Sequence, residues 1–246
     1  MIGYVAAALA AGAATFAGLH TMVPWSQLYG KNFSGLPAGT PLLALTFDDG
    51  PNDPWTMKLL EVLDRHHVPA TFFMMGRYVR QRPDLARAVH QAGHAIGNHG
   101  YSHPNLIFAS PSKLRQELEE TSKAIEDAIG ERPYLFRPPF GGRRPGTFKV
   151  AEEMKMFPVM WSVTCFDWSA KSPESILKHA HQQIAGGEVV LLHDGGHLHM
   201  GEDRSHTISA TDALIREYKD KGFAFATVTE MMQLRPGAQT FVGGPR

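Results

Sequence analysis

The stretch Leu42-Leu43-Ala44-Leu45-Thr46-Phe47-Asp48-Asp49-Gly50-Pro51-Asn52 is an apolar run that ends in two carboxylates and then breaks. Leu42 to Leu45 reads as a buried strand, and Gly50-Pro51 stops it at once. Adjacent side chains diverge at a strand end. Asp48 and Asp49 are therefore expected to take different tasks, one holding a metal and the other free to move a proton. An isolated Asp-Asp-Gly is also ordinary turn punctuation, so its meaning depends on what lies downstream.

The same grammar recurs along the chain. Short apolar runs at 42–47, 70–75, 94–98, 134–137, 158–163, 188–192 and 224–228 alternate with amphipathic helical patterns. Asp53-Pro54 opens a helix to about His67, with Leu59, Leu60 and Leu63 on one face. Ser110-Pro111 opens a second, carrying Leu114, Leu118, Ile125 and Ile129 and stopping at Gly130. Ser172-Pro173 opens a third, with Ile176, Leu177, Ala180 and Ile184 facing inward and Gly186 at its end. Proline inside the start and glycine past the end is the asymmetry that helix termini require. Strand–helix alternation predicts a parallel sheet, closed as a barrel or open and doubly wound.

The polar residues choose between the two. The Asp48-Asp49 dyad, His99, Arg137, Asp167 and His193 each fall at or just after the C-terminal end of a different strand. In a barrel those ends converge on one mouth, whereas an open sheet would spread them along an edge. The predicted fold is an α/β barrel of about seven strands with its active site at the C-terminal strand ends.

Composition narrows the partners. With 24 basic against 24 acidic residues, and no basic cluster beyond Arg143-Arg144, nothing points to nucleic acid. Cys165 is the single cysteine, which excludes an intrachain disulfide framework and a cysteine metal site. Residues 2–19 carry no charge, and the first charged side chain is Lys31. That segment reads as a secretory signal or a membrane anchor. The missing basic start, and the short apolar core before Ala11-Gly12-Ala13, favour an uncleaved anchor. Residues 20–40, rich in Gly and Pro, read as a linker, 41–235 as the catalytic domain and 236–246 as a tail.

Four further motifs carry chemistry. His99-Gly100-Tyr101-Ser102-His103 sets two imidazoles four apart, on one face if the turn is helical, and two His with one carboxylate make a three-ligand site with open positions. The chain has 13 histidines, so the pair could also arise by chance. Arg137-Pro138-Pro139-Phe140-Gly141 fixes an arginine that could orient and hold a nearby carboxylate. Asp167-Trp168 follows an apolar run, and Val189-Val190-Leu191-Leu192-His193-Asp194-Gly195 repeats the opening pattern.

Taken in order, these motifs resemble the polysaccharide deacetylases of carbohydrate esterase family four. That family's pattern is Thr-Phe-Asp-Asp-Gly, His-Ser/Thr-x-x-His, Arg-Pro-Pro-x-Gly, Asp-x-x-Asp-Trp and Leu-x-His, and the match spans about residues 41–230. The resemblance implies a deformed (β/α) barrel and a divalent metal, zinc first, with Co2+, Mn2+ or Fe2+ as substitutes. It implies Asp49, His99 and His103 as ligands, Asp48 as base, His193 as general acid with Asp167 paired to it, and Arg137 orienting Asp48. It makes Leu191 and Trp168 walls of the acetyl pocket and the Phe140 N–H a donor to the oxyanion. Two positions depart from the pattern: Gly100 replaces a Ser or Thr, and Thr164 replaces the first Asp of the fourth motif. The loop Gly196-His197-Leu198-His199-Met200-Gly201 reads first as solvated, with substrate contact as the other reading.

The expected activity is metal-dependent removal of N-acetyl groups from an N-acetylglucosamine-containing glycan, peptidoglycan or chitin-like, releasing acetate. The protein is expected to be exported to the cell envelope, membrane-anchored or free, with an acetylated polysaccharide or oligosaccharide as its partner. An O-acetyl esterase acting on xylan is the alternative. A non-haem Fe(II) oxygenase shares the ligand set but needs neither Asp48 nor His193. A silent glycan-binding module would have lost at least one of these groups.

Overall fold

The computed structural model describes residue 12 and residues 15–235. From the first strand the chain runs β1 (Leu42–Gly50), α1 (Trp55–His66), β2 (Thr71–Met74), α2 (Gly76–Gln81), α3 (Pro83–Gln91), β3 (Ala95–Asn98), α4 (Pro111–Ile129) and β4 (Leu135–Phe136). It continues through α5 (Thr147–Glu153), β5 (Phe157–Pro158), β6 (Val163–Thr164), α6 (Pro173–Gln183), β7 (Val189–His193), α7 (Ser205–Asp220), β8 (Ala224–Phe225) and α8 (Val228–Gln233). Single 3-10 turns occupy Pro139–Gly141 and Asp167–Ser169. Two of the three predicted openings hold as cap and proline: Ser110 and Ser172 cap α4 and α6 by accepting from Lys113 N–H and Ser175 N–H, each with proline in the first turn, whereas α1 starts after Pro54 with no side-chain cap.

Every ladder pair is parallel, in the order β5-β4-β3-β2-β1-β7-β6, with β8 against the start of β1. The sheet curls into the expected deformed (β/α) half-barrel, with β1 at its centre. Alternation along β1 sorts its side chains. Leu43, Leu45 and Phe47 join Leu59, Leu63, Val190, Leu192 and Leu214 in the core between sheet and helices. Ala44 faces Phe33, Phe73, Val189, Val228 and Met231 inside the barrel. Thr46 and Asp48 follow Ala44 at two-residue steps and point to the same interior.

One predicted strand is divided. The apolar run 158–163 forms the end of β5 and the start of β6, and Val159 and Met160 between them turn their carbonyls to the Arg137 guanidinium, at 3.3 and 3.0 Å. An apolar run shows burial, not where its carbonyls are needed.

Residues 20–40, expected to link, pack against the barrel. Phe33 pairs with Val159 and Gly35 with Glu188, so this strap fills the seam between the two ends of the sheet. The Phe33 N–H donates to Pro158 O at 3.0 Å, and Phe33 O accepts from Met160 N–H at 2.7 Å. Arg143, fully buried, donates to Val23 O, Ser26 O and Gly141 O and ties the strap to the loop after β4. Phe33 is 1% exposed in the inner core. Phe33→Ala is therefore expected to cost about 3–5 kcal/mol, as Phe truncations in cores do, and to lower Tm by roughly 10 °C. A thermal melt unchanged within two or three degrees would contradict this packing.

Residues 15–22 are helical, and no helix among the described residues is long and apolar enough to cross a membrane. Most of the N-terminal segment read as signal or anchor, and the tail 236–246, lie outside the described residues.

Candidate active site

The two adjacent carboxylates meet at the mouth because β1 carries a bulge. Its register against β2 runs Asp48 to Phe73 and then Gly50 to Met74, leaving Asp49 unpaired at φ 70°. Asp is among the residues that tolerate this left-handed conformation, and a bulge re-aims a side chain where a plain strand would alternate. Asp48 and Asp49 are both buried, and they contact different partners. One Asp48 oxygen accepts from Arg137 at 2.8 Å. Arg137 is wholly buried, also donates to the Thr46 hydroxyl at 2.8 Å, and lies over the Phe73 ring at 4.1 Å. A buried guanidinium needs its countercharge, and Asp48 provides it.

Asp49 Oδ1 faces two imidazoles instead, 3.1 Å from His103 Nε2 and 3.5 Å from His99 Nε2. Among the described residues it makes no hydrogen bond. One donor atom from each of Asp49, His99 and His103 lies within 4.8 Å of the others. His99 Nδ1–H donates to Arg137 O at 2.8 Å, which turns the Nε2 lone pair towards the cluster. Burial pushes the His99 imidazole down to about 4, with Asp48 opposing, so it stays neutral as a ligand must. Burial alone would raise Asp49, but the neighbouring His103, His99 and His193 outweigh it and hold the carboxylate well below the usual range. An orphaned buried oxygen between two imidazole nitrogens is a donor set that fits a divalent cation.

The histidine spacing works differently from the helical turn expected. Residues 99–103 form a loop in which Gly100 (φ 77°) and His103 (φ 59°) are left-handed, bringing the rings to 5.0 Å. Gly100 offers no hydroxyl, and His103 Nδ1 is buried without a hydrogen-bond partner among the described residues. Glu117 on α4 braces the loop: its carboxylate accepts from the Tyr101 and Ser102 N–H groups, both at 2.8 Å, and from Ser102 Oγ at 2.9 Å. Glu117 escaped the sequence reading. Its signal is a carboxylate beside Leu114 and Leu118 on a buried helical face.

On the other wall, β7 pairs with β1 so that His193 lies opposite Asp48. The His193 Nδ1–H donates to Asp167 Oδ1 at 2.8 Å, and the His193 backbone N–H donates to Oδ2 at 2.8 Å. Thr207 of α7, also unforeseen, donates its hydroxyl to Oδ2 at 2.9 Å. Burial would lower His193, but Asp167 above all, with Asp49 and Asp48, pushes it up to about 9. Leu191 shares the His193 face of β7 two residues back, and Trp168 meets the His193 ring edge-on at 5.3 Å. Phe140, at φ 59° in its 3-10 turn, sets its ring 4.4 Å from His103. Thr164, in the second departing position, accepts from Trp161 Nε1–H at 2.8 Å. The loop 196–201 borders the site, since His197 stacks on His103 at 4.7 Å and Arg77 holds its carbonyl.

A clamped carboxylate on one side of the mouth and a charged imidazole on the other suit the two proton transfers of hydrolytic acyl cleavage. Comparison with known proteins then gives the family. The polysaccharide deacetylase family model matches residues 36–159, and the chain belongs to that family. It is 37% identical over 202 residues to a peptidoglycan-N-acetylglucosamine deacetylase of Bacillus cereus, across 81% of this chain and 92% of the relative. A solved peptidoglycan N-acetylglucosamine deacetylase in complex with an N-oxidanyl-benzamide aligns at TM-score 0.78 and 34% identity, over 88% of this chain and 100% of the other. A pseudoenzyme of carbohydrate esterase family four from Bacillus anthracis aligns at TM-score 0.75 and 29% identity, over 82% and 68% of the two chains.

Proposed function

We propose that the protein is a divalent-cation-dependent hydrolase that removes N-acetyl groups from an N-acetylglucosamine-containing glycan, peptidoglycan first and chitin-like oligomers second. The observation that carries this is the separation of the two adjacent carboxylates, Asp48 on Arg137 at 2.8 Å and Asp49 between two imidazoles at 3.1 and 3.5 Å. Family membership alone would not suffice, since a pseudoenzyme aligns almost as well. This chain keeps a base, an acid and a donor set.

Asp49, His99 and His103 would hold the cation, which when bound supplies Lewis acidity to the attacking water and the acetyl carbonyl. Asp48 takes the proton from that water, and the Arg137 guanidinium keeps it aimed. The Phe140 N–H donates to the developing oxyanion, where a fixed dipole lowers the barrier most. An amine leaves poorly as an anion, so His193 hands its proton to the departing nitrogen, with Asp167 fixing the ring and favouring the charged form. Leu191 and Trp168 wall the acetyl methyl. Domain 41–235 carries this chemistry with the strap 20–40 docked on it. The uncharged N-terminal segment supports action on the cell envelope.

The test is acetate release by the full chain from peptidoglycan, N-acetylated chito-oligomers and acetylxylan, metal-stripped and then zinc-restored. Release from the N-acetylated polymers that returns with zinc is expected. Zinc-independent release would remove the cation from the proposal. Release from acetylxylan alone would make the enzyme an O-acetyl esterase.

A further inference from the structure

The 3-10 turn at Asp167–Ser169 is entered through Phe166 at φ 53°. A bulky side chain rarely takes this left-handed region, and holding one there costs stability. The backbone task at this position is modest: the Phe166 carbonyl accepts from Ser169 N–H at 3.2 Å and from its hydroxyl at 3.3 Å. Glycine or asparagine would do the same with less strain. The ring gains little by burial in return, being 44% exposed, while its neighbours Cys165 and Asp167 are buried.

The ring instead continues a row that begins at the catalytic imidazole. Trp168, 46% exposed, meets His193 at 5.3 Å, and Phe166 meets Trp168 at 5.4 Å. His179 of α6 packs edge-on against Phe166 at 5.0 Å and fixes the far end. Two half-exposed aromatic rings, inclined at 59° to one another, make an angled apolar shelf at the rim of a polar mouth. A pyranose ring carries its hydroxyls around its edge and presents C–H bonds from its face. Those C–H groups complement the negative face of an aromatic ring.

We propose that Phe166, one ring beyond Trp168, forms a glycan subsite that takes the pyranose unit next to the one being deacetylated. The identity of that unit rests on the deacetylase reading. Trp168 stands at the reacting unit, and Phe166, which reaches His193 through Trp168, extends the contact to the neighbour. The enzyme should thus prefer oligomers and polymers to single sugars.

The experiment compares wild type with Phe166→Ala, Phe166→Leu and Phe166→Tyr on N-acetyl-chito-oligomers from one to five units. Wild-type kcat/KM is expected to rise with chain length. Phe166→Ala should lose about tenfold on the pentamer, the worth of one well-placed aromatic contact, mainly through KM. The loss should shrink as the oligomer shortens. Tyr should restore the length dependence and Leu should not. An equal loss at all lengths would mark a merely structural role and overturn the subsite, as would an unchanged length profile. Calorimetric binding of the pentamer separates the two proposals. If wild type releases no acetate, the deacetylase reading falls, while weaker pentamer binding by Phe166→Ala still supports the shelf. Equal binding, or none by wild type, overturns it.

Discussion

Replacing Asp48 by Asn is expected to lower kcat about a thousandfold, within the range that general acid–base groups contribute, while the cation still binds. Asn keeps the shape of the side chain and a carbonyl oxygen for the Arg137 donor at 2.8 Å. It loses the capacity to take a proton from water. Asp49, His99 and His103 are untouched, so calorimetric zinc affinity should stay within a few-fold of wild type. A second consequence follows from Arg137, which is fully buried and loses its ionised partner. Breaking a buried pair costs about 3–5 kcal/mol, so the variant should also melt earlier. Activity must therefore be measured well below its Tm and normalised to folded protein. Asp49→Ala gives the contrast, with zinc affinity and activity lost together. Retention of more than a tenth of wild-type kcat by Asp48→Asn would remove the base from Asp48.

The sequence made the fold legible because its two periodicities are clean. Helices open on Ser-Pro with their apolar stripes inward, and each functional motif ends a buried run, so the barrel mouth follows from where polar residues interrupt apolar ones. What stayed hidden depends on long-range partners. The bulge at Asp49 is invisible in Asp-Asp-Gly, which reads equally as a turn. The histidine pair comes together through two left-handed residues rather than a helical turn, and spacing alone does not distinguish these. Glu117 lies on a helix marked by its apolar face and Thr207 on one that opens without a Ser-Pro signal, yet one braces the histidine loop and the other holds Asp167. Gly and Pro content alone gives the strap the composition of a linker. Phe33 shows why composition misleads, since one buried aromatic residue, with backbone bonds along the strap and the Arg143 donors, inserts a Gly-rich segment into a core.

The acid on the opposite wall should reveal itself in the pH profile. His193 stands at about 9, where Asp167 overrides the effect of burial. Its imidazolium is fully present below that value and is lost as pH rises through it, so kcat should fall on the alkaline side. A cation near Asp49 adds positive charge and draws this limb towards neutrality, which makes the comparison at equal zinc loading the informative one. Asp167→Asn removes the largest influence holding the proton on His193. The amide oxygen can still accept from Nδ1–H, but the NH2 that takes the place of Oδ2 cannot accept from the His193 backbone N–H, so kcat should also fall by a pH-independent factor. The imidazole then loses its proton at lower pH, and the alkaline limb should move down by about one unit or more, a unit being the 1.4 kcal/mol that such a charged hydrogen bond readily supplies. At pH 8 the variant should therefore lose a larger fraction of kcat than at pH 6. His193→Gln should lose about a hundredfold or more at every pH and show no alkaline limb from this group. The pair is decisive because loss of packing alone would depress kcat evenly across the range. An Asp167→Asn profile parallel to wild type would show that the proton on His193 is not the one the leaving amine receives.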